Sequence, residues 1–529
     1  MKNPYADIVS EDEIRIGRTG LWIGIAVFLV LVLIPSLSLF DSTLRKGEAE
    51  EKAVAPAGLR DWLALLEKKA KSLPILEAWR KADQARMSRF LGEGNPRVFA
   101  GEKGWLYYRS DLEAAYGKGP YYLEPSSVAR ERFDQKWQSP IPVVKAFAAE
   151  LAKREIKLIL VPVPTKPMVC REGLGLPSDG TTLPEFAKVT ADLAASDIEV
   201  LDLFPLIASR SPDESRFLKQ DTHWTPEVME AVAREVAGRI NPAGADPLPL
   251  EMRLEMIARE SAGDLAGMLD LGNNQKLFPP ERVSLHRVLN VETGAPLSSD
   301  PGSEVVVLGD SFVNIFEDPS LGFGEAGEAS IGAGFSSHLA ALIGRTVHTI
   351  AINGGGATGV REAFAGLPAE QLKEKKTVVW LLSSRDLLLA EIPARRAGIE
   401  WRSVTFNEET STNSATKAGV IEVTATLRER STIEDPAQTP YAAAIYSTVF
   451  GNIEGAGASE ITGEEIYVFL WAFRSRKLEA SAGLEPGRRY RLRLVPMSAN
   501  AEANRAARLD DLFRPDLVPF FAAEVEQVE

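Results

Sequence analysis

The sequence predicts an α/β fold, a doubly wound parallel sheet, with an N-terminal transmembrane helix before it and a C-terminal β-rich domain after it. Three observations predict this. Residues 21–40, LWIGIAVFLVLVLIPSLSLF, carry no charge. From about residue 97 to 395, short apolar or β-branched runs alternate with amphipathic stretches of helical period. Beyond about residue 398 the runs turn aromatic or β-branched and are separated by Gly, Pro and Asn. Near-continuous apolar strands joined by helices imply a parallel sheet covered on both faces, whereas short strands between turn residues imply an antiparallel domain. At 529 residues the chain exceeds one ordinary core.

The apolar stretch comes first. Its 20 residues reach across a hydrocarbon layer of ~30 Å at ~1.5 Å per residue. A cleavable signal would have a shorter apolar region and a small-x-small site close behind it. Here Pro35, Ser36 and Ser38 follow, and the nearest Ala-x-Ala, Ala53 to Ala55, lies well beyond, which favours an uncleaved anchor. Charge leaves the orientation open, because Lys2, Arg15 and Arg18 precede the span while Arg45, Lys46, Lys52 and Arg60 follow it. Residues 41–56 read as a solvated tether. Helical spacing of Leu59, Trp62, Leu63, Leu65 and Leu66, interrupted at Pro74, predicts a two-helix stalk up to about residue 91.

In the α/β region the predicted strands are 157–163, 198–203, 304–308, 347–352 and 377–382, and the predicted helices 143–154, 184–195, 226–239, 336–343 and 359–364. In the β-rich segment the predicted strands are 421–428, 441–450, 465–473 and 489–495, with the tail at 515–521 packing back onto them. Its aromatics include Tyr441, Tyr446, Phe450, Tyr467, Trp471 and Phe473. Aromatic faces stack on sugars, although strand aromatics are commonly core. If this segment holds a polymer and takes no part in chemistry, a chain ending near Arg395 should still turn over a small ester.

Composition narrows the function. The chain has 74 acidic against 60 basic residues, a formal net charge of −14, and so no electrostatic footprint for nucleic acid. The single cysteine, Cys170, excludes an internal disulfide framework and a cysteine-rich zinc site. It follows an apolar run and reads as a buried, inert thiol.

Two motifs carry chemistry. In EVVVLGDSFVNIF (304–316) four apolar residues form a buried strand, Gly309 permits a tight turn, and Asp310 and Ser311 stand where a helix begins. Open α/β sheets place ligands at the carboxyl ends of such strands, and a helix start offers free N–H groups to an oxyanion. Ser311 could equally be no more than an N-cap. The second motif is Asp221-Thr222-His223-Trp224-Thr225-Pro226. A serine nucleophile needs a base, and the base an orienting acceptor. Residues two apart in an extended segment face the same side, so Asp221 can meet His223. Pro226 suits a first helical turn, with Thr225 as its cap. Of the other histidines, His348 alternates within an apolar strand and reads as core or sheet surface, while His286 reads as exposed. Two glycine turns, Gly332-Ala333-Gly334-Phe335 and Asn353-Gly354-Gly355-Gly356, could add oxyanion donors. Neither is a phosphate loop or a dinucleotide fingerprint.

Taken together, GDSF, DTHW, GAGF and NGGG resemble the SGNH hydrolase-like domain of the alginate O-acetyltransferase family, the AlgJ and AlgX type, over roughly residues 95 to 395. Gly104-Trp105-Leu106-Tyr107-Tyr108, Gly263-Asp264-Leu265 and the stretch from Trp380 to Arg385 are similar to further family features. The order, with His223 before Ser311, is that of the family's acetyltransferase branch.

The resemblance implies Ser311 as nucleophile, His223 as base and Asp221 as its orienter. It makes Asn353, Gly332, Gly334 and Arg385 candidate oxyanion or substrate-binding residues. It implies no metal and no cofactor, a polysaccharide acceptor, and a multipass membrane O-acyltransferase that supplies the acetyl group. It also implies a bacterial inner-membrane protein: cytoplasmic tail 1–20, anchor 21–40, tether and stalk 41–95, SGNH-like catalytic domain 96–397 in the periplasm, and β-rich accessory domain 398–529. An SGNH esterase with the same triad, or a non-catalytic polysaccharide-binding or assembly protein, are the competing expectations.

Overall fold

Pro74, expected to interrupt the stalk, is the first residue of helix α1 (Pro74–Arg86), a position where its missing N–H costs nothing. A single π-helical turn, Met87–Leu91, follows and ends at Gly92, whose φ of 64° is the left-handed cap that glycine favours. The computed structural model describes residues 74–528 with interruptions, the longest being 121–139, 242–251, 389–400 and 407–419. The predicted anchor, the tether and the front of the stalk lie outside the described residues. Among those described, no helix is long and apolar enough to cross a membrane. The chain divides into two compact units, Met1–Asp83 and Gln84–Glu529; the second holds the sheet and the barrel.

That unit begins with a small antiparallel pair, β1 (Val98–Ala100) and β2 (Leu106–Tyr108), and helix α2 (Arg109–Tyr116). The main sheet follows. Its strands are β3 (Lys157–Val163), β4 (Glu199–Val200), β7 (Val305–Gly309), β8 (His348–Ala351) and β9 (Thr377–Ser383), all parallel, in the order β4-β3-β9-β7-β8. Strand β7 is buried at all five positions, so both its faces are covered, as an apolar strand in a parallel sheet requires. The helices α3 (Pro140–Lys153), α4 (Pro184–Ala194), α5 (Pro226–Ile240), α6 (Ser311–Asn314), α7 (Phe335–Ile343), α8 (Gly359–Ala365) and α9 (Ser384–Leu388) connect these strands. The architecture is the SGNH-hydrolase-like mixed α/β fold that the sequence predicted.

Three expectations need correction here. The strand expected over 198–203 shrinks to β4, because the Asp202 carboxylate accepts the Phe204 N–H and turns the chain into a short helix. An antiparallel hairpin of two ten-residue strands, β5 (Met252–Ser261) and β6 (Glu281–Asn290), stands where no strand was predicted. Finally, Trp401 and Phe406 belong to the α/β core, with the Trp401 indole N–H donated to the Asp386 carbonyl. The α/β body therefore extends past the expected boundary at 397.

The C-terminal domain is a closed barrel. Strands β10 (Ile421–Arg430), β11 (Ala444–Glu454), β12 (Glu465–Arg474), β14 (Arg489–Pro496) and β16 (Pro519–Val528) form a ring, with β13 (Lys477–Leu478) and β15 (Ala507–Leu509) attached and helix α10 (Ala501–Arg505) before β15. It was expected to be antiparallel, but β15 pairs with β11, and β16 with β12, in parallel. The predicted tail became a full strand. Of the aromatics, Tyr446, Phe450 and Phe473 fill the barrel interior, and Tyr467 and Phe469 a second small core. Tyr441 and Trp471 border a small cleft, formed with Ser320, Leu321, Asn353 and Glu502 where the barrel meets the α/β body.

Candidate active site

The site starts from a glycine. A Cβ on Gly309 would sit 2.3 Å from Val313 Cγ2 and 3.1 Å from the Leu381 carbonyl oxygen, so only glycine lets α6 fold back so tightly over β7. Asp310 then caps α6: its Oδ1 accepts the Phe312 N–H at 2.9 Å and its Oδ2 the Ser383 N–H at 3.2 Å. Ser311 is thus the first residue inside the helix and not its cap. Its hydroxyl is free of that duty.

Asp221 and His223 lie in a tight loop closed by a bridge between Phe217 and Trp224. The His223 Nε2 stands 2.8 Å from the Ser311 Oγ, and its Nδ1 is 2.6 Å from the Asp221 Oδ1. The same Oδ1 also accepts the His223 backbone N–H. All three side chains are buried. Thr225 holds the N-cap position of α5, but its hydroxyl donates to the Ser215 carbonyl and caps nothing.

The hairpin absent from the sequence reading supports this loop from both ends. At the start of β6, the Glu281 carboxylate accepts the Lys219 and Gln220 N–H groups. Past the end of β5, the Asp264 N–H donates to Asp221 Oδ2 at 3.0 Å, while the Asp264 carboxylate accepts the Thr222 N–H and hydroxyl. Asp221, His223 and Asp264 lie close enough to suggest a cation site, but their oxygens already face N–H and O–H donors.

Electrostatics follow from this burial. At His223 burial works against the charged ring, yet Asp221, with Asp264 and Asp310, outweighs it and raises the pKa. At Asp221 burial works the other way, and His223 and the Asp264 N–H overcome it to hold the carboxylate below its usual range. Asp264, desolvated and beside Asp221, is pushed up to about 6. A neutral serine, an imidazole primed to take a proton and an ionised orienting carboxylate are what nucleophilic acyl transfer requires.

The family profile described as SGNH hydrolase-like domain, acetyltransferase AlgX matches residues 98–384. The chain belongs to this family. It is 25% identical over 225 residues to the probable alginate O-acetylase AlgJ of Azotobacter vinelandii, covering 41% of this chain and 53% of that protein. Against the probable alginate O-acetylase AlgJ of Pseudomonas fluorescens it is 27% identical over 236 residues, 42% of this chain and 55% of the relative. The chain spans about half the length of the curated relatives it matches. Among solved structures it is similar to the O-acetyltransferase domain of Pseudomonas putida AlgJ (20% identity, TM-score 0.41, 55% of this chain and 92% of that one) and to Pseudomonas aeruginosa AlgX (15%, 0.38, 76% and 88%).

The other predicted residues of this AlgX-family site divide. Arg385 does sit at its edge, 2.7 Å from Asp111 and 5.3 Å from the Tyr108 ring, and its charge reaches Asp310. Asn353 is buried at the end of β8, but its amide is engaged: Nδ2 donates to Asp318 at 3.3 Å and Oδ1 accepts from Asn314 at 2.9 Å. The two glycines of 332–334 have their contacts elsewhere. Gly334 donates its N–H to Glu317, and Gly332, at φ 76°, bends past Pro296, where a Cβ would come within 2.7 Å. They are glycines for close approach, not for an oxyanion.

Sequence reasoning missed Phe312, and placed Tyr441 only among the aromatics that could stack on a sugar. The Phe312 ring meets His223, Trp224 and Phe217, which an aromatic directly after the serine could have hinted. Tyr441 arrives from the barrel side. Its ring lies over Gly354, where a Cβ would come 2.7 Å from Cε2 and 2.9 Å from the hydroxyl. Among the described residues nothing in the local sequence of Tyr441 signals that contact.

Proposed function

We propose that the chain is an O-acetyltransferase that acetylates hydroxyls of a cell-surface or secreted polysaccharide through an acetyl-Ser311 intermediate. The observation that carries this is the continuous chain of hydrogen bonds from Ser311 through His223 to Asp221 in a member of the AlgX acetyltransferase family. In the first half-reaction Ser311 Oγ bonds to the acetyl carbon while its proton passes to His223 Nε2. The bond from acetyl to the donor's leaving group breaks, and that group takes the proton. In the second half a sugar hydroxyl gives its proton to His223 and attacks the acetyl carbon. Ser311 departs and recovers the proton, so that atoms and charge balance. Asp221 orients the imidazole throughout, and the Ser311 N–H at the start of α6 offers the oxyanion a donor.

A small cleft bordered by Asn353, Tyr441, Trp471 and Glu502 combines an aromatic face with polar groups, and in this reading the acceptor sugar approaches across its mouth. In this reading residues 21–40 anchor the body on the periplasmic side of the inner membrane. A multipass membrane acyltransferase then supplies the acetyl group. Hydrolysis would use the same triad with water as acceptor, so the deciding experiment is partition. With an activated acetyl ester as donor, oligosaccharides should divert acetyl from water to sugar, seen by mass spectrometry as products heavier by acetyl groups. Unchanged hydrolysis across a broad oligosaccharide panel would make the protein an esterase.

A further inference from the structure

We propose that Lys166, a buried lysine at the carboxyl end of β3, is a positioning residue for the base: its ammonium holds the loop of Asp221 and His223 by the Lys219 carbonyl. This rests on the acyl-transfer reading above. It also gives the stretch 104–108, which the chemistry of Ser311 leaves unexplained, a part in the site.

Lys166 follows β3 and opens a single helical turn, Lys166–Val169. It is 1% exposed. Its Nζ donates to the Leu106 carbonyl oxygen at 2.6 Å and to that of Lys219 at 3.1 Å. The Leu106 N–H donates to the same Lys219 oxygen at 2.8 Å. That oxygen, two residues ahead of Asp221, is where β2, the end of β3 and the triad loop are joined. The Lys219 and Gln220 N–H groups are taken by the Glu281 carboxylate, at 2.9 and 2.7 Å. An ammonium and a carboxylate therefore grip the carbonyl and the N–H groups immediately before Asp221. Both bonds of the ammonium go to backbone, so what they fix is the path of the chain.

The stretch 104–108 forms the cradle. The Trp105 and Tyr107 ring centroids lie 5.6 and 5.4 Å from Nζ, and an aromatic face stabilises a cation taken out of water. The rings are held in turn by the segment after Lys166. The Tyr107 hydroxyl donates to the Cys170 carbonyl at 2.6 Å. A Cβ on Gly173 would come 2.1 Å from that hydroxyl and 2.5 Å from Trp105 Cγ, so only glycine lets the two segments pack so closely.

The charge suits the task. Burial lowers the ammonium to about 8, against the pull of Asp264, Cys170, Asp221 and Glu281. Asp111 of α2 feels the same charge, and the Lys219 ammonium shares the Trp105 ring, 5.9 Å from its centroid. Lys166 is therefore charged at neutral pH, and its bonds to the two carbonyls are of the stronger, charge-assisted kind. It touches no reacting atom and transfers no proton.

The test uses the full chain in detergent, with an activated acetyl ester as substrate. Lys166→Met keeps the apolar stem and removes the charge and the donors. We expect kcat to fall on the order of 10²-fold, the scale of a small misplacement of a catalytic group, with KM nearly unchanged. The downfield proton resonance of the short His223–Asp221 bond should weaken or vanish in the same variant. Wild-type kcat, a change in KM alone, or an unaltered resonance beside a lowered melting temperature would make Lys166 a residue of the fold and overturn the proposal. The wild type carries a second test that needs no variant to fold. Its kcat should decline on the alkaline side with a midpoint of about 8, as the ammonium loses its proton. A profile that stays flat through that range also overturns the proposal. Ser311→Ala runs alongside. If it keeps turnover, the acyl-transfer reading fails and this inference with it; if it is inactive while Lys166→Met is unimpaired, only the role of Lys166 is lost.

Discussion

The ring of Phe312 lies 4.9 Å from that of His223, so the residue after the candidate nucleophile is also a packing partner of its base. Trp224 meets the same ring edge-on at 5.2 Å. One side chain thereby ties α6 to the loop of Asp221 and His223, and fixes the 2.8 Å approach of Nε2 to Oγ from within the core.

Phe312→Ala should therefore harm stability and turnover together. Deleting a buried phenylalanine typically costs about 3–5 kcal/mol. Denaturant unfolding should show that loss, and kcat should fall in the fraction that stays folded, because small misplacements of a base are expensive. Phe312→Leu should recover much of the stability and less of the rate. A variant that is destabilised but has wild-type kcat would show that the ring supports the fold without placing His223.

Ser311→Ala should abolish acetyl transfer and leave unfolding unchanged. The expected loss of kcat is on the order of 10⁶. Rapid quench of the wild type with donor, followed by peptide mass spectrometry, should find an acetyl group on the peptide holding Ser311. Acetyl found on another residue would displace Ser311 from the mechanism.

The pH profile follows from the sign of the shift at His223. The base must be neutral, and Asp221 raises its pKa above the ordinary 6.5. Activity should therefore appear as pH rises, with the midpoint of the acidic limb on the alkaline side of 6.5. Asp221→Asn removes the cause: the limb should move down, and kcat should fall on the order of 10⁴, as when a triad loses its orienting carboxylate. A limb that stays where it was in that variant would break the link between the two residues.

Gly263→Ala should disturb the same pair from a distance. Gly263 has φ 80°, and a Cβ would meet the Gln220 carbonyl oxygen at 2.2 Å. Relief of that clash must shift the neighbouring Asp264 N–H away from Asp221 Oδ2. The outcome should be a lower melting temperature together with a lower kcat and a changed acidic limb. A melting shift with an unaltered pH profile would confine Gly263 to the fold.

The parts of the site that sequence made legible are local. Four apolar residues before Gly309 specify strand, turn and helix, and Asp221 and His223 two apart specify a pair on one side. What escaped is set by packing between distant segments. Nothing near Tyr441 says that Gly354 will be beneath it. The glycines at 332 and 334 looked like donors because glycine is common at oxyanion turns, but here it answers to Pro296 and Glu317. Strands β5 and β6 were missed because they lack an unbroken apolar run: charged residues such as Arg253 and Glu255 alternate with the apolar ones, and only β6 buries several of its side chains. The parallel sheet was recovered because buried strands of that kind leave an unbroken apolar run.

Strand β16 closes the barrel between β12 and β14. During synthesis the five-stranded ring cannot close until residues 519–528 have emerged. The barrel side of the cleft, with Tyr441 and Trp471, is unfinished until then, although the triad segments left the ribosome much earlier. Completion of the cleft is thus timed by the most C-terminal strand described. A tag or a protease cut that loosens residues 519–528 would reach the cleft through Phe521, which packs edge-on against Trp471, without touching Ser311, His223 or Asp221.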